Sequence, residues 1–175
     1  GAVTGFPVIW AQNNKNITLR QFGTGVSNIN EIAEKCKADL GITLQMTALD
    51  SDAVVQRAVT QPNSYDIADI EYWMCKKVFP ANTLQAMNVK KIKYFDKIVP
   101  IFTTGKLKPD SVIAQGTAPN TVSFVEGAGS TKFAKGQTEW FTMIPTIYNA
   151  DTLGIRPDLV GGRDKITSWK DLLDP

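Results

Sequence analysis

The sequence predicts an α/β fold, on three observations. Short runs with an apolar period of two alternate with longer runs at helical spacing, the alternation repeats from about residue 17 to residue 70, and turn or cap residues stand at the changes of period. At 175 residues the chain is long enough to bury a sizeable core without disulfide staples.

The first strand is expected over residues 17–22, where Ile17 and Leu19 alternate with Thr18 and Arg20, and Gly23-Thr24-Gly25 closes it with a turn. Asn28 with Glu31 three residues on reads as a capping box. Behind it Ile29, Ile32, Ala33, Cys36 and Leu40 fall on one helical face, with Gly41 as the stop. Residues 42–49 form the second strand. Asp50, Ser51 or Asp52 then caps a helix through Val54, Val55, Ala58 and Val59, which Pro62 ends.

Residues 65–70 give a third strand, with Ile67, Ala68 and Ile70 around Asp69, and Glu71-Tyr72-Trp73 follows where it runs out. Right-handed crossovers then imply a parallel sheet with helices on both faces, and ligands of such sheets sit beyond the carboxyl ends of the strands. The loops 22–27 and 71–74 should therefore face one crevice.

Beyond residue 80 the pattern weakens. Lys90-Lys91-Ile92-Lys93 is interleaved with apolar residues in a way that can suggest RNA, but the cluster is short and the net charge only +2, so it reads as a solvated helix or loop. Residues 103–139 read as an irregular excursion or small hairpin, with 112–114 and 122–125 as the strand-like pieces. Residues 140–148 are again apolar. Near the end, Ser168 and Asp171 form a second capping box in front of a very short helix, and its abruptness suggests a truncated chain.

The first twelve residues carry no charge, and every charged residue lies at or beyond Lys15. Such a stretch, ending in Ile9-Trp10-Ala11-Gln12, reads as the remnant of a signal peptide with cleavage after Ala11, although the charged n-region is not present. Nothing else approaches the length of a membrane helix.

Composition excludes several chemistries. Nineteen Lys and Arg balance seventeen Asp and Glu, too evenly for a nucleic-acid footprint. The chain has no histidine, which removes Ser-His-Asp and Cys-His dyads and His-ligated zinc. Asn28 stands where G-x-G-x-x-G needs its third glycine, so Gly23-Thr24-Gly25 is a plain turn or a helix N-terminus open to a ligand rather than a dinucleotide fingerprint. Gly127 to Lys132 lacks the order of a P-loop. Cys75 lacks an obvious activator other than Lys76, and Cys36 belongs to an apolar helix face, so both read as core thiols. A disulfide between them is open.

Glu71, Tyr72 and Trp73 are the most informative cluster. A carboxylate beside two aromatic rings can neutralise an ammonium and offer it π faces; the alternative is that the rings pack under a neighbouring helix.

The ordered phrases Tyr65-Asp66-Ile67, Leu84-Gln85 to Lys97-Ile98, Ile147-Tyr148-Asn149-Ala150-Asp151 and Ser168-Trp169-Lys170-Asp171-Leu172 resemble the periplasmic solute-binding proteins of ABC transporters, extracellular solute-binding family 1. The spermidine and putrescine binders look closest. The resemblance implies a type 2 two-lobed periplasmic-binding fold, with residues 13–143 as part of lobe one and 144–175 as the hinge crossing and start of lobe two. It places Gly23, Thr24 and Gly25 in one ligand loop and Glu71, Tyr72 and Trp73 in another. Two positions depart from the family: glycines stand where it often has an aromatic, and Glu71 where it has a small hydroxyl residue.

The expectation is a non-enzymatic, exported, monomeric binder that captures a small cationic solute and passes it to a permease, with no cofactor, metal or nucleic acid and no embedding in the membrane. A receptor for an amino acid, sugar or carboxylate is the alternative within the class, and a Cys75-dependent transferase the alternative outside it.

Overall fold

The structure is a computed structural model, and it describes residues 17–149 and 153–173. The uncharged segment 1–12, read as a leader remnant, and the pair Ala150-Asp151 lie outside the described residues.

The chain is a mixed α/β protein built on a small parallel sheet. Strands β1 (Thr18–Gly23), β2 (Thr43–Ala48) and β3 (Ile67–Asp69) lie in the order β2-β1-β3, and both pairings are parallel. Helix α1 (Asn30–Leu40) connects β1 to β2, and α2 (Ser51–Thr60) carries the chain back past β1 to β3. Because the strand order reverses about β1, a topological switch point falls between β1 and β3.

Phe22 of β1 is fully buried and packs with Val54 and Ala58 of α2 and with Tyr65, Met74 and Val78. Each such side chain contributes roughly 1.5–3 kcal/mol through burial. The Tyr65 ring lies 4.7 Å from that of Phe22, and its hydroxyl donates to the Ala58 carbonyl at 2.9 Å. Tying the end of α2 to the start of β3 in this way shortens the third strand: the expected extent 65–70 reduces to Ile67–Asp69 because Tyr65 turns into the core and Asp66 turns to Arg20.

Arg20 grips Asp66 with two nitrogens, Nη2 to Oδ1 at 2.9 Å and Nε to Oδ2 at 3.0 Å, and Nη1 donates to the Asn63 carbonyl. This guanidinium holds the Asp66 carboxyl at about 2, well below the usual range. The clamp fixes the register of β3 on β1.

The helices differ in how they begin. Asp50 caps α2, its Oδ1 accepting from the Ala53 N–H at 2.8 Å. The expected cap of α1 does not form. Its N-cap is Ile29, without a side-chain hydrogen bond, because the Asn28 Oδ1 is taken up by the Gln21 amide at 3.2 Å. Gly41 ends α1 as expected, in the left-handed region at φ 71°. The apolar face of α1 stays uncovered: no side chain of the helix is fully buried, Ile32 and Leu40 are exposed, and Cys36 is only half-buried, not core.

A second core lies beyond residue 78. Strands β4 (Met87–Asn88) and β5 (Trp140–Phe141) pair antiparallel, and Phe124 and Val125 add single bridges to Phe141 and Phe133. Phe79, Phe124, Phe141, Val122 and Val125 are buried here, with the Phe95 ring edge-on to Phe141 at 5.2 Å. Of the strand-like piece 122–125, all four residues are buried but only Phe124 and Val125 form isolated bridges and no strand results, while Val112 and Ile113 are exposed and lie in no strand. Of residues 90–93, read as a solvated helix or loop, Lys90 and Lys91 end a short 3-10 helix, Val89–Lys91, and Ile92 and Lys93 continue as loop and turn. Of the apolar run 140–148, the first two residues form strand, and Ile144, Ile147 and Tyr148 stay exposed. Near the end, Asp171 accepts from the Ser168 N–H at 2.9 Å and the Thr167 N–H at 2.7 Å, so one arm of the second capping box forms at the 3-10 helix Trp169–Leu173, while the Ser168 hydroxyl accepts from the Lys170 N–H at 3.2 Å rather than from Asp171. Among the described residues no helix is long and apolar enough to cross a membrane.

Candidate functional site

The parallel register sets Gly23 opposite Asp69, so the chain leaves β1 and β3 side by side at their carboxyl ends. Gly23 is dictated by this approach: a Cβ there would stand 2.3 Å from the Asp69 carbonyl oxygen. The turn then passes through Gly25 at φ 88°, a conformation that favours glycine. Thr24 lies between them, half-buried. The Leu49 N–H donates to the Gly23 carbonyl at 2.9 Å and ties the turn to the end of β2.

After Asp69 the chain stays extended through Glu71 and winds into a 3-10 turn, Tyr72–Met74, that runs into the short helix α3 (Cys75–Val78). Met74, Cys75 and Val78 are buried, and this anchor leaves Glu71 and Trp73 on the outer side of the turn. Trp73 is 41% exposed, and its Nε1–H donates to Glu71 Oε2 at 2.5 Å. Tyr72 is half-buried. Both expected loops thus open at one edge of the sheet, with Gly23, Thr24 and Gly25 on one side and Glu71, Tyr72 and Trp73 on the other.

Two residues join them that the sequence did not single out. Asp69, the last residue of β3, accepts a hydrogen bond from the Ser27 hydroxyl, which lies in the first loop. Only the strand pairing reveals this meeting, since the two residues are 42 apart in the chain. Asn28 stands beside them with its Nδ2 buried and without an acceptor.

The electrostatics of this edge are distinctive. Asp69 and Glu71 are both half-buried, and among the described residues neither forms an ion pair with Lys or Arg. Each is held by a neutral donor, the Ser27 hydroxyl or the Trp73 indole, which orients a carboxylate while leaving its charge uncompensated. An exposed indole face beside such a charge suits a cation, an interaction of about 0.5–2 kcal/mol depending on desolvation. Among the described residues no group of three or more Cys, Asp or Glu is gathered as metal ligands would be.

Cys75 sits just behind this edge but does not reach it. Its thiol is buried, and that burial pushes its pKa up to about 12, which disfavours the thiolate a nucleophile requires. Cys36 and Cys75 are both free thiols.

Two shallow depressions, of about 470 and 330 Å³, lie elsewhere, along Ile32, Cys36 and Leu40 of α1 and between residues 82–86 and Gly129-Ser130. Neither gathers uncompensated carboxylates beside an exposed ring, so we place the candidate site at the switch point. Comparisons with known protein families, curated proteins and solved structures find no match to the chain.

Proposed function

We propose that this chain contributes one wall of a substrate-binding protein that captures a small cationic solute, a polyamine such as spermidine or putrescine, and passes it to a membrane permease of the ABC type. One observation carries the reading: Asp69 and Glu71 keep uncompensated charge beside the exposed indole of Trp73, at the edge where β1 and β3 end together. In this reading the protein is exported to the periplasm and adopts the type 2 two-lobed architecture. Residues 13–143 belong to the first lobe and 144–175 to the crossing toward the second.

The mechanism is capture without chemistry. An ammonium bridging this wall and an opposing one stabilises the closed arrangement by contacts the open one lacks. The buried Cys75 thiol offers no support for a transferase.

A second reading has a specific observation in its favour. The N-terminus of α1 has no side-chain cap, and the buried Asn28 Nδ2 beside it lacks an acceptor, which suits a ligand that also carries a carboxylate, such as an amino acid. A thermal-shift screen against polyamines, amino acids and sugars separates the two, since ligand at a hundred times its Kd adds about 2.7 kcal/mol. Polyamines should raise the midpoint in the wild type and much less in Glu71→Gln. A response to amino acids alone favours the second reading, and silence toward every amine rejects the first.

A further inference from the structure

Among the described residues the strand order leaves β2 at the edge of the sheet, and the strand itself carries none of the usual protections. Thr43 to Ala48 contains no charged residue, no proline and no glycine, and it is six residues long. Edges of this kind are templates for pairing with another strand.

The sequence of the edge is symmetric by residue class. Reading outward from Gln45, the neighbours are Leu44 and Met46, then Thr43 and Thr47. The Thr43 and Leu49 N–H groups bond to carbonyls at either end of β1, so odd-numbered residues of β2 point their backbone groups inward and Leu44 and Met46 point theirs outward. An antiparallel copy related by a two-fold axis at Gln45 would therefore exchange both hydrogen bonds between Leu44 and Met46 of the second copy. It would also set Thr43 opposite Thr47, a favourable cross-strand pair.

Helix α1 agrees with the same axis. It packs on β2, the edge strand, and Ile32, Cys36 and Leu40 line a shallow depression along it, with Ile32 38% and Leu40 56% exposed. From the first strand residue, Thr43, two residues advance about 6.6 Å to Gln45, and from the last helical residue, Leu40, four residues run back about 6 Å to Cys36. Cys36 therefore lies at the level of Gln45. The axis that pairs the strands brings the two α1 helices together antiparallel, with Ile32 of one near Leu40 of the other. Lys35 falls in the same half of α1 as Glu31 and Glu34 and is paired with Asp39 of the other half, so both facing halves carry mixed charge and the axis rests on the strand register and the apolar stripe rather than on charge.

We infer that β2 and α1 form an isologous interface with a second copy of this chain, continuing the sheet from three strands to six across an axis at Gln45. This departs from the monomer expected on sequence grounds, uses no residue of the candidate ligand site and does not depend on that reading.

Equilibrium sedimentation of the whole chain tests it, together with reaction with a short bis-maleimide. The expected result is a dimer whose dissociation constant rises about tenfold in Gln45→Lys, which sets like charges opposite each other on an exposed position, with an unchanged circular dichroism spectrum. Leu40→Glu should weaken the dimer as well. The bis-maleimide should link the wild type and Cys75→Ser through Cys36, but not Cys36→Ser. A monomer at every concentration overturns the inference, and so does a dimer indifferent to Gln45→Lys. A monomer whose Cys36 reacts with maleimide only after residues 1–12 are removed would assign the surface to the chain's own beginning and overturn it too.

Discussion

Helix α2 puts Val54 and Ala58 into full burial against Phe22, whereas α1, one residue longer and on the same sheet, buries none of its side chains completely. Both are amphipathic in sequence. The difference comes from the strand order: α2 returns past β1 to reach β3 and so covers the middle of the sheet, while α1 joins β1 to the edge strand and lies over that edge. An apolar stripe shows which face a helix would bury, not how much neighbour awaits it.

The comparison can be broken most forcefully at Phe22. Phe22→Ala removes the ring that α2 covers and should cost about 3–5 kcal/mol in urea unfolding. Ile32→Ala on α1 should cost less than about 1 kcal/mol at protein concentrations where the chain is monomeric, because its side chain is already partly in water. Equal losses would mean that the two helices are equally covered.

The caps sharpen it further. Asp50→Ala should lose about 1 kcal/mol with its Ala53 hydrogen bond. Asn28→Ala should show no loss attributable to a missing cap, since Asn28 does not cap α1. Because Asn28→Ala also loses the bond from Gln21, the comparison is made in a Gln21→Ala background, where a cost for Asn28→Ala matching that of Asp50→Ala would restore the capping box.

The smallest effect is electrostatic and lies on the β3 side of the sheet. Folding lowers the Asp66 carboxyl from 3.8 to about 2, so the native state binds a proton less readily than the unfolded chain. The clamp's contribution is therefore fully present above the unfolded value and is lost as pH falls from about 4 toward about 2. Asp66→Asn should flatten the acid limb of the stability curve in that window. An unchanged limb would show that the Arg20 clamp does not hold β3.

Much of the sheet unit was legible because its signals are local. The period-two runs, the Asp50 cap and the Gly41 stop all act within a few residues of themselves. The pieces that were missed depend on long-range pairing. Gln21 captures Asn28 only once β1 and the turn are formed, and Asp69 reaches Ser27 only through the register of β3. The second core illustrates the same limit: Phe95, Phe124 and Phe141 meet from three distant segments that share no periodicity. For the candidate site, the two loops were readable from the rule that ligands gather at carboxyl ends, but the uncompensated Asp69 was not.

The claim that these two loops together receive a cation is tested most directly by amide and indole NMR during a spermidine titration. Saturable shifts of the Trp73 indole N–H together with the Gly23 and Gly25 amides, lost in the double variant Asp69→Asn/Glu71→Gln, are the expected result. Shifts confined to one loop, or unchanged in that variant, would contradict it.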